Sequence, residues 1–183
     1  SSPAGSYTIA PMTRRVVISG AGPISALGVG IDDTWSAMQE GRSGLRPITC
    51  FDPGSFPCHV GGQIDDEMFK VRSVVPKSYR KAVKVMCRDV ELAVGAAVAA
   101  IEDAGLKTPG VDNEDGHVIE PDRMGCQIGS GLIAADVQEL TNAFITSLGE
   151  DEEVDLARWG VTGMENLTPL WLLKYLPNML ACH

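Results

Sequence analysis

Lys77, Arg80, Lys81, Lys84 and Arg88 recur at steps of three and four residues. If residues 78–104 form one long helix, that spacing lines them along one face of its first half. Such a stripe is either a solvated helix face, the usual meaning of helical charge, or a dock for an anionic partner. The chain as a whole carries a net charge of −9, so a local surplus of cations is out of character. The overall charge excludes nucleic acid as a general partner, because phosphate binding needs a basic footprint.

Other chemistries fit less well. Gly20-Ala-Gly22 follows an apolar stretch, like the opening of a dinucleotide phosphate loop. The third glycine of that motif would fall at Ser25, Gly28 is out of register, and Pro23 removes one backbone N–H from the cradle. A structural turn is expected there, and no cofactor. Cys58-His59 and Cys182-His183 are adjacent pairs, whereas metal ligands need i, i+3 or i, i+4 spacing on helices, or CxxC in loops. No metal is expected. Cys182 would sit late in an apolar helix, where the negative dipole end and burial both disfavour a thiolate; it reads as a small core residue rather than a nucleophile. No Ser/His/Asp set or paired carboxylates can be assembled. Asp151, Glu152 and Glu153 read as charges favouring a helix N-terminus.

The elements that must position these residues follow an α/β order. Residues 14–19 and 123–128 read as short buried strands, the first ended by the Gly20–Gly22 turn and the second by Gly129-Ser-Gly131. Asp32 or Asp33 can cap a helix over 34–39 that closes at Gly41. An irregular connection spans 42–62. The long helix over 78–104 stops at Gly105, an acidic loop follows, and a further helix covers 134–148. Parallel strand pairing is expected from that order.

The 183 residues are 44% hydrophobic and 21% charged, enough for one good core. No apolar run reaches the length of a membrane span. Five cysteines without paired spacing, and no signal-peptide pattern over residues 1–11, lead to the expectation of reduced thiols in the cytoplasm. Residues 1–11 are expected to be a disordered extension. Residues 168–183 are apolar and lack a helix stop, so a further packing partner is expected beyond His183.

Several segments, in order, resemble the N-terminal half of a β-ketoacyl-acyl carrier protein synthase of the type II, elongating kind. Arg15-Val-Val-Ile-Ser-Gly-Ala-Gly-Pro-Ile-Ser-Ala-Leu-Gly28 looks like that family's opening strand and turn. Trp35-Ser-Ala-Met-Gln-Glu-Gly-Arg-Ser-Gly44 is similar to its first helix and the small-residue turn after it. Phe51-Asp-Pro, Phe56-Pro and Gly61-Gly-Gln-Ile64 follow in the expected order. Ala99-Ala-Ile-Glu-Asp-Ala-Gly-Leu106, Ile128-Gly-Ser-Gly131 and Pro177-Asn-Met-Leu-Ala-Cys-His183 look like later landmarks. Residues 149–166 match no family motif, and Cys182 stands where the family commonly has glycine.

The resemblance implies a thiolase-like α/β fold over residues 12–183, a mixed sheet with packed helices, of which this chain holds the N-terminal half. It implies acyl transfer: a cysteine thiolate accepts an acyl chain from acyl carrier protein, and histidines assist condensation with malonyl-carrier protein. The resemblance places that cysteine, two histidines and a lysine past His183, so no catalytic residue is assigned here and the chain alone is expected to be inactive. It assigns Lys77, Arg80, Lys81 and Lys84 to carrier-protein docking. Leu132 and Trp171 are assigned to the acyl pocket near a homodimer interface, with core packing as the other reading of both. A noncatalytic chain-length-factor-like partner subunit, or a carrier-docking module, is the alternative function.

Overall fold

The computed structural model describes residues 15–108 and 116–183. The extension expected at 1–11 lies outside the described residues. The chain is mixed α/β. The short strands β1 (Ile24–Ser25) and β2 (Gly28–Val29) pair antiparallel. Helix α1 (Ile31–Gln39) follows at once. Its cap is Gly30 at φ +88°, not Asp32 or Asp33. Those two carboxylates lie in the first turn, where they face the positive end of the helix dipole. The helix ends before Gly41, whose φ of +66° suits a residue without a Cβ.

The connection expected to be irregular contains the antiparallel pair β3 (Leu45–Pro47) and β4 (Val60–Gly62). Gln63 stitches the enclosed loop. Its side-chain oxygen accepts from the N–H groups of Thr49 (2.9 Å) and Cys50 (3.1 Å), and its amide donates to the Pro47 carbonyl (3.0 Å).

The long helix is shorter than expected. Helix α2 (Val71–Val74) is followed by 3-10 turns at Lys77–Tyr79 and Ala82–Val85, and α3 begins only at Arg88 and runs to Asp103. Met86 and Cys87 are extended, with ψ 135° and 173°. Across that break Val83, Met86 and Cys87 are buried in one cluster with Val90. A continuous helix would also bring Val83, Met86, Cys87 and Val90 onto one face, at i, i+3, i+4 and i+7, so the apolar pattern of the sequence is the same with or without the break.

Helix α3 is the spine of the core. Gly20 and Gly22 lie against it: a Cβ at Gly20 would come within 2.5 Å of the Ala100 carbonyl oxygen, and one at Gly22 would overlap the backbone at Ala96 and Ala100. These glycines permit a chain to cross a helix at contact distance. The Ala21 N–H donates to Asp103 at 2.8 Å, fixing the crossing. The helix stops at Gly105, φ +64°, as its sequence requires.

Strands β5 (Leu106–Lys107) and β6 (His117–Val118) pair in parallel. The stretches 15–19 and 123–128, expected as buried strands, have no ladder partner among the described residues. Val16 and Ile18 are each 90% exposed. A strand exists only when a neighbour exchanges hydrogen bonds with it, and the periodicity of a single segment does not supply one.

Helix α4 (Val137–Ile145) is capped by Asp136, whose carboxylate accepts from the Glu139 N–H. The segment that matched no motif packs against it. Helix α5 (Leu156–Arg158), capped by Asp155, runs into a π turn at Trp159–Gly163. Asp155 therefore fills the role expected of residues 151–153. Phe144 and Trp159 stack at 5.1 Å, and Thr162 donates to the Thr146 carbonyl at 3.0 Å. Helices α6 (Trp171–Tyr175) and α7 (Met179–Cys182) complete the chain.

Candidate functional site

The segment 69–87 contains no Asp or Glu. Its apolar residues Val71, Val75, Val83 and Met86 are buried against α3, which fixes the facing of everything between them. Lys77, Arg80, Lys81 and Lys84 are all exposed. Burying an unpaired ammonium or guanidinium is prohibitive, so the same packing that anchors the valines turns these four outward. None of the four has an ion-pair partner among the described residues; the ion pairs there are made by Arg42, Arg46, Arg88, Arg158 and Lys174. The cations expected on one helix face thus share one surface, but two 3-10 turns present them.

Arg88 leaves that group. Its guanidinium pairs with Glu91 at 2.8 Å and donates to the carbonyls of Ile64 (2.9 Å), Asp65 (3.2 Å) and Phe69 (3.1 Å). It is a structural clamp on the 64–69 loop. The same loop is held from its other side by Arg46, which pairs with Asp65 at 2.7 Å. The Met68 N–H first, and then Arg46, hold the Asp65 carboxyl below its ordinary range.

Behind the cationic turns lies an apolar cavity of about 640 Å³. Val75, Tyr79 and Met86 form one wall, Val94, Ala97 and Val98 of α3 another, and Ile128 and Leu180 a third. Cys126, Cys182 and His183 also line it. Cys182, at the end of α7, is exposed, contrary to the core position expected for it.

Leu132 and Trp171 are not brought together in this cavity. Leu132 is 96% exposed, whereas its neighbour Ile133 is buried in the core. Trp171 stacks on Tyr175 at 5.2 Å, and its indole Nε1 is buried without a hydrogen-bond partner among the described residues.

A polar cluster joins α4 to the terminal segment. Glu139 accepts from the Thr168 N–H at 2.6 Å and from the Tyr175 hydroxyl at 3.3 Å, and lies 3.7 Å from the Lys174 ammonium. Burial alone would raise the Glu139 carboxyl; the Thr168 hydrogen bonds, the Lys174 charge and the Tyr175 hydroxyl outweigh it and hold the group below its ordinary range. Burial likewise pulls Lys174 down, and Tyr175, Glu139 and Asp136 together push it above its ordinary range.

Sequence reasoning passed over Lys70 and Arg72, which are also exposed. The signal that finds them is the absence of acid from 69 to 87, not helical spacing. Among the described residues no helix is long and apolar enough to cross a membrane.

Comparisons with known proteins agree on one family. The model of the β-ketoacyl synthase N-terminal domain matches residues 13–169. The 3-oxoacyl-[acyl-carrier-protein] synthase 2 of Coxiella burnetii is 39% identical over 120 residues, covering 65% of this chain and 26% of its own. A Streptomyces violaceoruber protein named as a granaticin polyketide β-ketoacyl synthase 1 is 30% identical over 158 residues, covering 86% of this chain and 34% of its own. The solved ishigamide ketosynthase/chain length factor superposes with a TM-score of 0.59 at 25% identity, covering 91% of this chain and 35% of that one. The chain therefore spans about a third or less of the length of these relatives. It belongs to the β-ketoacyl synthase family, whose N-terminal domain it carries.

Proposed function

We propose that this chain is the N-terminal part of a 3-oxoacyl-carrier-protein synthase, an acyltransferase that elongates carrier-bound acyl chains by decarboxylative condensation with malonyl-carrier protein. It works in fatty-acid or polyketide synthesis, in the cytoplasm, as a homodimer. Family membership supports the reaction class. The observation that carries the chain's own part in it is the exposed set Lys77, Arg80, Lys81 and Lys84, without a carboxylate nearby in sequence.

An acidic carrier protein meets that surface through its carboxylates. Complementary charge steers the encounter and fixes the orientation in which the thioester arm is delivered. The role of this segment is delivery: it binds the carrier, and bond making takes place elsewhere. Leu132 and Trp171 contribute to the acyl pocket, where the bulk of Trp171 limits the chain that fits. The free thiols support a reducing compartment.

The test is a charge-reversal variant, K77E/R80E/K81E/K84E, titrated with a fluorescent acyl carrier protein. Exposed pairs contribute roughly 0.2–1 kcal/mol each, so affinity should fall between about fourfold and several hundredfold, and its salt dependence should flatten. Unchanged affinity in a folded variant would remove the docking assignment.

A further inference from the structure

The docking face does not end at Lys77. Lys70 and Arg72 flank the first residue of α2, and both are exposed. Neither has an ion-pair partner among the described residues. Between Met68 and Arg88 the chain places six cations and no carboxylate, although acids outnumber bases 24 to 15 overall.

The orientation of this second lobe is fixed by burial. Val71 and Val75 are 3% and 6% exposed, one helical turn apart, and they pin α2 to the core. With that face down, Lys70 and Arg72 face out. The Ser73 hydroxyl donates to the Lys70 carbonyl at 2.6 Å, which closes the turn. Arg80 links the two lobes: its guanidinium lies 3.5 Å from the Arg72 carbonyl oxygen and donates to it. Cations gathered without counter-charge repel one another and lower stability. An arrangement that brings the Arg80 guanidinium to the end of a second basic segment has a use when an anionic surface covers both.

We infer that Lys70 and Arg72 are further docking residues for the acidic carrier protein, so that its footprint spans α2 as well as the two 3-10 turns. This rests on the docking function proposed above. The partner presents carboxylates over both lobes; Lys70 and Arg72 add to affinity and to the orientation of the carrier.

The experiment titrates the fluorescent carrier protein against the full chain and three variants, K70E/R72E, K70Q/R72Q and K77E/R80E/K81E/K84E, at low salt and at about 0.15 M ionic strength. Far-ultraviolet circular dichroism checks that each is folded. K70E/R72E should weaken binding between about two- and thirtyfold at low salt, and K70Q/R72Q should fall between it and the unaltered chain. Both should bind with a shallower salt dependence. If the four-residue variant loses affinity while both Lys70/Arg72 variants bind like the unaltered chain, the wider footprint is wrong and the docking function stands. If the four-residue variant itself binds normally, the docking function falls and this inference with it. The glutamine variant keeps the test decisive if the glutamate variant does not fold.

Discussion

Arg88 holds Phe69 twice. Its guanidinium donates to the Phe69 carbonyl at 3.1 Å and also stands over the Phe69 ring, 5.9 Å from the centroid. The ring is in turn buried against Gly95 of α3. One side chain at the start of the helix therefore fixes the loop that leads into the cationic segment.

Arg88→Ala should destabilise the fold. It removes a charged donor from three carbonyls, those of Ile64, Asp65 and Phe69, and leaves them to find other partners. A loss of about 2–4 kcal/mol is expected, since hydrogen bonds to charged groups contribute roughly 1.5–3 kcal/mol. Urea denaturation measures it. Because Arg88 is paired internally, carrier binding by the folded fraction should be unchanged; a binding loss as large as that of K77E/R80E/K81E/K84E would return Arg88 to the docking surface.

Gly95→Ala should also destabilise, against intrinsic helix propensity. In an exposed helix this change gains up to about 1 kcal/mol. Here the added Cβ would overlap the tip of the Phe69 ring and lie 2.9 Å from Ile24 Cδ1. The ring is buried and held by Arg88, so overpacking at roughly 1–3 kcal/mol should prevail. A melting temperature above that of the unaltered chain would show that the ring can step aside.

The Glu139 cluster makes stability depend on acid. A carboxyl held below its ordinary range contributes stability that is fully present above about pH 4.3 and is lost as pH falls through the lower folded value. Glu139→Gln should lower stability at neutral pH and flatten the acid limb of the profile. Lys174 has the opposite sign: its raised value gives stability present below about pH 10.4 and lost as pH rises through the folded value. Denaturation curves across pH separate the two. An acid limb unchanged in Glu139→Gln would assign that limb to other carboxylates, Asp65 first among them.

Trp171→Phe in the intact synthase should lengthen the preferred acyl product if the indole closes the pocket. The buried, unpartnered indole N–H makes phenylalanine a mild change for stability, within about 1 kcal/mol either way. Product profiling by mass spectrometry is the measurement. The same chain-length distribution in both proteins would leave Trp171 as packing against Tyr175.

The local grammar of the chain is legible from its residues alone. Gly41 and Gly105 stop their helices because φ of +66° and +64° suits glycine. The order of motifs from Arg15 to His183 identifies the family, and the run of cations from Lys77 to Lys84 marks a surface. The helix stops and the cationic run depend on a few neighbouring residues, and the family on the order of motifs along the chain, so sequence determines them.

Tertiary structure decided the rest. The chain over 78–104 is a sound helix by propensity, and Val83, Met86, Cys87 and Val90 would share one helical face, yet the backbone is extended at Met86 and Cys87 and the helix begins only at Arg88. Gly20 and Gly22 resemble a phosphate loop until α3 is laid beside them. Arg88 belongs to the cationic run by spacing and leaves it by contact, since its partners are carbonyls from residues 64, 65 and 69. Burial and long-range hydrogen bonding set these outcomes, and both act between segments whose meeting no local pattern records.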